Sequence, residues 1–493
     1  MVDTVGARST VRFLLGWEPI EVSVNNTHQT LLQYLRSSAH LTGTKEGCAE
    51  GDCGACSVIV AESRNGDMSY RVVNACVLFL PSMDGKQILT IEHMDVGGLH
   101  PLQSAMAELH GAQCGFCTPG IVMSLIAHQL NGGSVNRRDI DDALAGNLCR
   151  CTGYGPIIDA AVAAMDNPGS VEWQSALKAS QAQLNTWAGD DQSLSIGTDN
   201  GRFEAPRSTA ELCTLLEIHS DTTIVAGATD VGLWVTKHGR QLRTMVSLGA
   251  VRDINDITET DDGVEIGAGV TYTEAHSALG DLSSSLGEMV RRIGATQVRN
   301  SGTICGNIAN GSPIGDMPPA LIALGATLEL TSSVGTRDMP LEDFFIDYGK
   351  QDRRDNEFVS SVRIPRPRGI FSCYKISKRF DQDISAVLGA FHIEIKKGKI
   401  DTARIAFGGM AATPKRAIAC EEALSGVDWS METIELAQSA LDQDFTPLSD
   451  ARASQNYRST IARNLLERFY LESLNPSYSL ALADRHVLGT NHG

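Results

Sequence analysis

Three cysteines, Cys48, Cys53 and Cys56, sit in the stretch K-E-G-C-A-E-G-D-C-G-A-C, with a glycine in every gap. C-x4-C-x2-C in a loop is the plant-type arrangement of a [2Fe–2S] centre, which needs one more thiolate. Cys76, in R-V-V-N-A-C-V, is the natural fourth ligand. Such a centre is an anion in a low-dielectric pocket, so it needs N–H donors. Gly47, Gly51 and Gly54 let the backbone turn tightly and aim its amides at sulfur. The rival readings are a zinc site and inert buried thiols. Zinc sites usually pair one C-x2-C with another, and the x4 spacing argues against that.

A second set follows. Q-C-G-F-C-T-P-G (residues 113–120) holds Cys114 and Cys117, and N-L-C-R-C-T-G-Y-G (147–155) holds Cys149 and Cys151. Thr118 is expected as an N-cap, with Pro119 opening a helix through Leu130. The positive end of that helix would point at whatever the cysteines hold. Pro156 opens another helix. A C-x2-C and a C-x-C brought together by helices make a second four-thiolate site. Zinc is the rival here, and the neighbouring ferredoxin-type loop favours a second [2Fe–2S] centre.

The elements that must position these residues read in order. The chain has 493 residues, 42% apolar and 20% charged, enough for about three domains. Its net charge of -18 and 5% aromatics argue against nucleic-acid binding. The N-terminus has no basic region before an apolar core, and no run of about 18 apolar residues appears. A cytoplasmic location without a membrane span is therefore expected. Of the 12 cysteines, eight lie before residue 152, which points to metal ligation rather than disulfides. Strands at 11–15 and 20–24, a helix at 30–37, the cysteine loop, and strands at 57–61 and 70–73 suit a β-grasp ferredoxin domain over 1–90. Residues 91–166 turn helical. Residues 167–200 read as a linker with some helix.

Residues 201–369 form the next expected unit. An apolar strand at 222–226 enters G-A-T-D and an apolar helix, with further strands at 264–270 and 326–330. The stretch S-G-T-I-C-G-N-I-A-N-G-S-P-I-G-D-M-P-P-A (301–320) is dense in Gly, Ser, Thr and Asn before an apolar helix at 320–324. Amides and hydroxyls there can hold a pyrophosphate, although many such loops are only turns. No G-x-G-x-x-G follows a strand, so a Rossmann site is not expected. A third unit, 370–473, carries strands at 385–395 and 402–407. It ends in a helix at 457–469 with Tyr457, Ile461, Leu465 and Phe469 on one face. Residues 474–493 read as a tail.

These motifs, with the late segments K-I-S-K-R-F-D-Q-D-I-S and F-G-G-M-A-A-T-P-K-R-A, resemble the xanthine oxidase family of molybdenum hydroxylases over almost the whole chain. The late segments look like its xanthine dehydrogenase branch, and within it the iron–sulfur/FAD small subunit. The resemblance implies an α+β multidomain fold. Its parts are the ferredoxin domain, the helical [2Fe–2S] domain, an FAD domain of the vanillyl-alcohol oxidase type, and an α+β C-terminal domain like that of the CO dehydrogenase flavoprotein. It implies FAD contacts at Val225, Ala226, Gly227, Ala228, Thr229, Asp230, Val231 and Gly232. Further contacts fall at Thr303, Gly306, Asn307, Asp316, Val359 and Lys375. Ile293 stands where many members carry an aromatic on the flavin. Cys305 stands where Gly is usual, a small packing residue or an oxidisable thiol. Gln113 matches a residue that touches the pterin of the molybdenum cofactor.

The family's large molybdopterin region has no counterpart here, so a molybdopterin-binding partner subunit is expected, in a dimer of heterodimers. The implied route takes electrons from hypoxanthine or xanthine, oxidised to urate on the partner, through the Cys114/Cys117/Cys149/Cys151 centre. The Cys48/Cys53/Cys56/Cys76 centre, FAD and NAD follow. The catalytic residues for the substrate would lie on the partner. Lys378, Arg379, Asp381 and Asp383 fall in a loop that runs near the flavin and NAD in the family, or form a solvated turn. The rivals are a hydroxylase for an aldehyde, nicotinate or carbon monoxide, and an electron-transfer module with no turnover of its own.

Overall fold

A computed structural model describes residues 6–64, 66–219 and 221–475. Two compact units divide it. One holds the described residues up to Asn255 with Thr271–Glu274 and Gly294–Thr303; the other holds Asp256–Val270, Ala275–Ile293 and the described residues from Ile304 on. Residues 201–369, expected as one domain, contribute to both. The expected tail lies outside the described residues beyond Asn475. Among the described residues no helix is long and apolar enough to cross a membrane.

The first unit is built on a five-stranded sheet in the order Glu18–Val22, Val11–Leu15, Gln87–Leu89, Ser57–Arg64, Asp67–Asn74. Val11–Leu15 and Gln87–Leu89 pair in parallel and the other neighbours run antiparallel. The second strand begins two residues earlier than expected, because the turn closes at Gly16 with φ +60°. The helix expected at 30–37 is one α-turn, Leu31–Gln33, capped by Thr30, that widens into a π-helix at Tyr34–Ser38.

Both faces of this sheet are buried. Side chains alternate across a strand, so Val58 and Val60 join one core with Leu31, Leu35, Phe79 and Phe203, while Ile59 joins another with Ile121, Leu125 and Ile157. The second core belongs to the helices Pro101–Glu108, Thr118–Leu130, Arg137–Leu144 and Gly155–Ala164. The first extends to a small sheet of Leu194–Thr198, Gly201–Ala205, Thr244–Ser247 and Thr222–Val225, the last two paired in parallel.

The stretch read as a linker is dominated by an 18-residue helix, Val171–Ala188, with Ser170 as N-cap. Its buried residues Trp173, Leu177, Ser180, Leu184 and Trp187 recur at alternating steps of four and three, a single helical stripe. Leu184 and Trp187 pack on Leu14 and Ala61 of the sheet.

The second unit carries an antiparallel five-stranded sheet in the order Ile257–Thr260, Gly263–Gly267, Phe358–Pro365, Thr327–Ser332, Gly335–Pro340. It also carries an antiparallel sheet of Ile370–Ile376, Val387–Lys396, Lys399–Gly408 and Lys415–Arg416. The wholly buried helix Met317–Leu324 packs on the two long strands. Ile418–Leu424, Met431–Asp444 and Gln455–Leu474 complete that core, where Phe391 stacks on Phe469 at 5.3 Å. The last helix buries Leu465 and Phe469 as expected, but Tyr457 is exposed and Ala462 and Leu466 take its place.

One charged group lies deep in the first unit. Glu62, on Ser57–Arg64, meets Arg71 at 2.6 Å, Arg64 at 2.9 Å and Lys86 at 3.8 Å. Burial alone would raise its pKa, but Arg71, Lys86 and Arg64 outweigh it and hold the carboxyl at about 2. Lys86 goes the other way: burial lowers it to about 8 despite Glu62, because at 3.8 Å it receives charge without a hydrogen bond. The carboxylate is therefore held by Arg71 first, then by Lys86 and Arg64. A folded pKa below the ordinary 4.5 gives stability that is present above 4.5 and lost as pH falls through about 2. We expect roughly 3 kcal/mol to disappear across that window. The slope of unfolding free energy against pH in Glu62→Gln should be shallower by one proton, measured by denaturant titration at stepped pH.

Candidate iron–sulfur and flavin site

The first cysteine loop folds round its own sulfurs. The amides of Glu50, Asp52 and Cys53 donate to Cys48 Sγ at 3.5, 3.4 and 3.3 Å, and the amide of Cys48 donates to Cys53 Sγ at 3.4 Å. This needs left-handed backbone at Ala49, Gly51 and Gly54, with φ of +54°, +78° and +69°. A Cβ on Gly47 would come within 2.9 Å of Cys53 Sγ. Asn74 closes the loop from the strand end, donating to the Gly51 carbonyl at 2.8 Å.

The four thiols of this set interact in one chain, Cys53 with Cys48, Cys48 with Cys76 and Cys76 with Cys56. Hydrogen bonds from the Cys53 and Cys76 thiols hold Cys48 far below the ordinary thiol range, and the Cys76 thiol does the same for Cys56. Cys53 and Cys76, as donors, are pushed up. The thiolate is the form that ligates metal, and the four sulfurs lie close enough to act on one another's protons. A two-iron centre with four cysteines takes two thiolates per iron, and four mutually interacting thiols with N–H donors at Cys48 and Cys53 fit it.

In the second set Cys117 and Cys149 meet. Burial, then the hydrogen bond to Cys149, pushes Cys117 up to about 12. Burial would raise Cys149 too, but bonds from Thr152 and Cys117 prevail and lower it. Cys114 lies close enough to act on Cys117 electrostatically. Cys114 and Cys151 are exposed, as is Gln113. Tyr154, itself at φ +68°, ties this loop: its hydroxyl accepts from the Cys149 amide at 2.8 Å and donates to the Asn147 carbonyl at 3.0 Å. The helix after Cys117 begins at Thr118, so the cap position is Cys117 and not Thr118, whose Oγ1 is buried without a partner.

The two cysteine loops touch backbone to backbone. The Leu148 amide donates to the Cys53 carbonyl at 3.0 Å. A Cβ on Gly54 would lie 2.1 Å from the Gly146 carbonyl, and one on Gly120 would lie 2.2 Å from the Gly54 carbonyl. Beside this contact a buried polar cluster forms round Gln297. Its Nε2 donates to Asn147 Oδ1, Ser57 Oγ and Ser124 Oγ at 3.0, 3.1 and 3.2 Å. Asn147 Nδ2 donates to the Gly54 carbonyl at 3.1 Å. Ser57, Ser124 and Gln297 were not singled out from sequence, where each reads as an ordinary polar residue, and Asn147 entered only as the first residue of the second cysteine segment.

The implied flavin contacts fall in both units. In the first, Thr222–Val225 ends in a loop where Ala228 has φ +57° and Asp230 accepts from Trp234 Nε1 at 3.1 Å. Gly227 abuts the Ser301 carbonyl, which a Cβ would approach to 1.8 Å. The loops 225–232 and 301–303 therefore lie against each other, with Thr303 buried beside them in sequence. In the second unit Asn307 Oδ1 is buried without a partner, an acceptor left open as a ligand would require. Lys375 and Asp316 are buried and bonded to each other, with Ser385 bonded to both. Val359 is buried in Phe358–Pro365, and Ile293 is half-buried after the helix Ser284–Arg291. The close glycine approach of the first unit fits a bound dinucleotide.

Cys305 is fully buried, its Sγ 3.7 Å from the Ile266 carbonyl, and burial pushes it up to about 12. Its surroundings are those of a packing residue. The charged loop is fixed rather than free: Arg292 lies 4.3 Å over the Phe380 ring and donates to its carbonyl, and Arg291 faces Asp381 at 3.9 Å.

Known proteins match this arrangement in order. Residues 16–80 match the 2Fe-2S iron-sulfur cluster binding domain, and 90–162 the [2Fe-2S] binding domain. Residues 198–367 match the FAD binding domain in molybdopterin dehydrogenase, and 372–473 the CO dehydrogenase flavoprotein C-terminal domain. Xanthine dehydrogenase of Emericella nidulans is 30% identical over 528 residues, covering 94% of this chain and 39% of that protein. Xanthine dehydrogenase 1 of Arabidopsis thaliana is 31% identical over 522 residues, covering 90% of this chain and 38% of that protein. The chain thus spans about two fifths of the relatives it matches. Carbon monoxide dehydrogenase from Hydrogenophaga pseudoflava superposes with a TM-score of 0.51 at 27% identity, over 54% of this chain and 94% of that one.

Two outcomes follow from the geometry. Gly54→Ala should cost the protein most of its iron and acid-labile sulfide while the flavin is retained, measured by iron assay and absorption. Native protein at pH 8 should leave Cys305 unmodified by iodoacetamide, with alkylation only after unfolding, read by peptide mass spectrometry. Two [2Fe–2S] domains, an FAD domain and the flavoprotein C-terminal domain in this order place the chain in the molybdenum hydroxylase family.

Proposed function

We propose that this chain is the iron–sulfur and flavin subunit of a xanthine dehydrogenase, carrying electrons from a molybdenum site on a partner subunit to NAD. The observation that carries the reading is the Leu148–Cys53 hydrogen bond, which joins the two cysteine loops inside one compact unit. Bound iron–sulfur centres would supply single-electron relay, and FAD the exchange between one and two electrons that a hydride acceptor requires. Cys48, Cys53, Cys56 and Cys76 would hold one centre, and Cys114, Cys117, Cys149 and Cys151 the other. The amides on Cys48 Sγ would favour the more negative form of the first. Cys114 and Cys151, exposed beside Gln113, suit a surface that receives electrons from outside the chain.

The purine assignment rests on the xanthine dehydrogenase relatives and on the K-R-F-D-Q-D-I-S segment. A second reading, a hydroxylase for another small substrate, draws support from the likeness to carbon monoxide dehydrogenase. An anaerobic absorption spectrum of the chain with its native partner decides between them. Xanthine should bleach the flavin and cluster bands, and NAD should restore them. Bleaching by NADH but not by xanthine would keep the flavin end and move the substrate to another class. Bleaching by xanthine without recovery on NAD would replace NAD as acceptor.

A further inference from the structure

Lys237 belongs to none of the residue sets assigned above to a cofactor, yet it touches the first cysteine loop. Its Nζ donates to the Cys48 carbonyl at 2.5 Å and lies 3.5 Å from the Glu50 carboxylate. One residue earlier, Thr236 Oγ1 donates to the Ala49 carbonyl at 3.2 Å. Both follow from the helix Val231–Thr236, whose other end is equally close: a Cβ on Gly232 would lie 2.4 Å from the carbonyl of Val77, next to Cys76. The helix therefore meets the loop at Cys48–Glu50 and again beside the fourth cysteine, and it holds one positive charge against the backbone of a cluster ligand.

We propose that Lys237 is a positioning residue whose charge raises the reduction potential of the first cluster. The proposal rests on reading Cys48, Cys53, Cys56 and Cys76 as that cluster's ligands. Each electron added makes the cluster more negative by one charge, so a fixed cation stabilises the reduced form more than the oxidised form. The Cys48 end is also where three amides already converge on sulfur, so the cation and the amide dipoles act in the same direction. Glu50 opposes them in part. In the proposed route the first cluster takes one electron from the second and gives one to the flavin. A higher potential at the first cluster favours the inward step and keeps the electron in the chain. At an effective dielectric near 20, with salt screening on a partly exposed ammonium, the electron-binding equilibrium should weaken about three- to tenfold when the charge is removed. Tenfold corresponds to about 59 mV for one electron.

The test is a mediated dithionite titration of the chain with its native partner, at fixed pH, following the two reduced clusters by electron paramagnetic resonance. Lys237→Met should lower the potential of one cluster and leave the other, the internal reference, unchanged. Lys237→Arg should restore it. Glu50→Gln, which removes the opposing charge, should raise it. An unchanged potential in Lys237→Met, or an equal fall in the Met and Arg variants, overturns the proposal. If Lys237→Met fails to retain its cluster, Glu50→Gln decides, and an unchanged or lowered potential there also overturns it. Absence of any reduced [2Fe–2S] signal in the unsubstituted chain would instead overturn the ligand reading beneath it.

Discussion

Everything distinctive in the first unit depends on two backbones approaching without side chains between them. The carbonyls of Cys53 and Gly54 are met from the other loop by the Leu148 amide and the Asn147 side chain, and glycine at 54 and 120 is what makes that distance reachable. Side chains can be repacked; a carbonyl 2.1 Å from where a Cβ would stand cannot. The contact fixes the separation of the two cysteine sets more tightly than any apolar interface would. Gln297 then closes the space beside it, with one amide nitrogen meeting partners from three segments. Its own carbonyl is buried without a partner.

That contact is stable because the sheet carrying the first loop is buried on both faces. Alternating residues of Ser57–Arg64 enter two separate cores. The ferredoxin sheet is therefore a shared wall, with the helical segment on one side and the Thr222–Val225 sheet on the other. The helix Val171–Ala188 adds a further layer through Leu184 and Trp187. A relay needs its centres held at constant distance, and a wall packed from both sides supplies that rigidity.

The cysteine spacing made both cysteine loops legible, because glycine and thiol patterns report local backbone demands directly. Strand positions in the ferredoxin segment were legible within a few residues for the same reason. Other features were hidden. Val171–Ala188 was masked by its Gln, Ser and Ala content, although Trp173, Leu177, Leu184 and Trp187 carry a clear helical stripe. Tyr457 looked like a core residue because its spacing matched Leu465 and Phe469, but one more turn of the helix rotates it to solvent. Gln297 could not be found at all. Its role comes from contacts to residues 150 or more positions away, and no local pattern encodes them. The pairing of Asp316 with Lys375 was likewise invisible, since each had been read only toward a ligand.

Cys56 and Cys76 are almost wholly enclosed, and Asn74 between them is buried as well. Thiols in that position cannot be reached from solvent once the sheet and the Leu31–Ser38 turn have closed over them. Metallation of the first loop therefore belongs to the act of folding rather than to a later loading step. Chains made under iron starvation would not wait as a competent apoprotein.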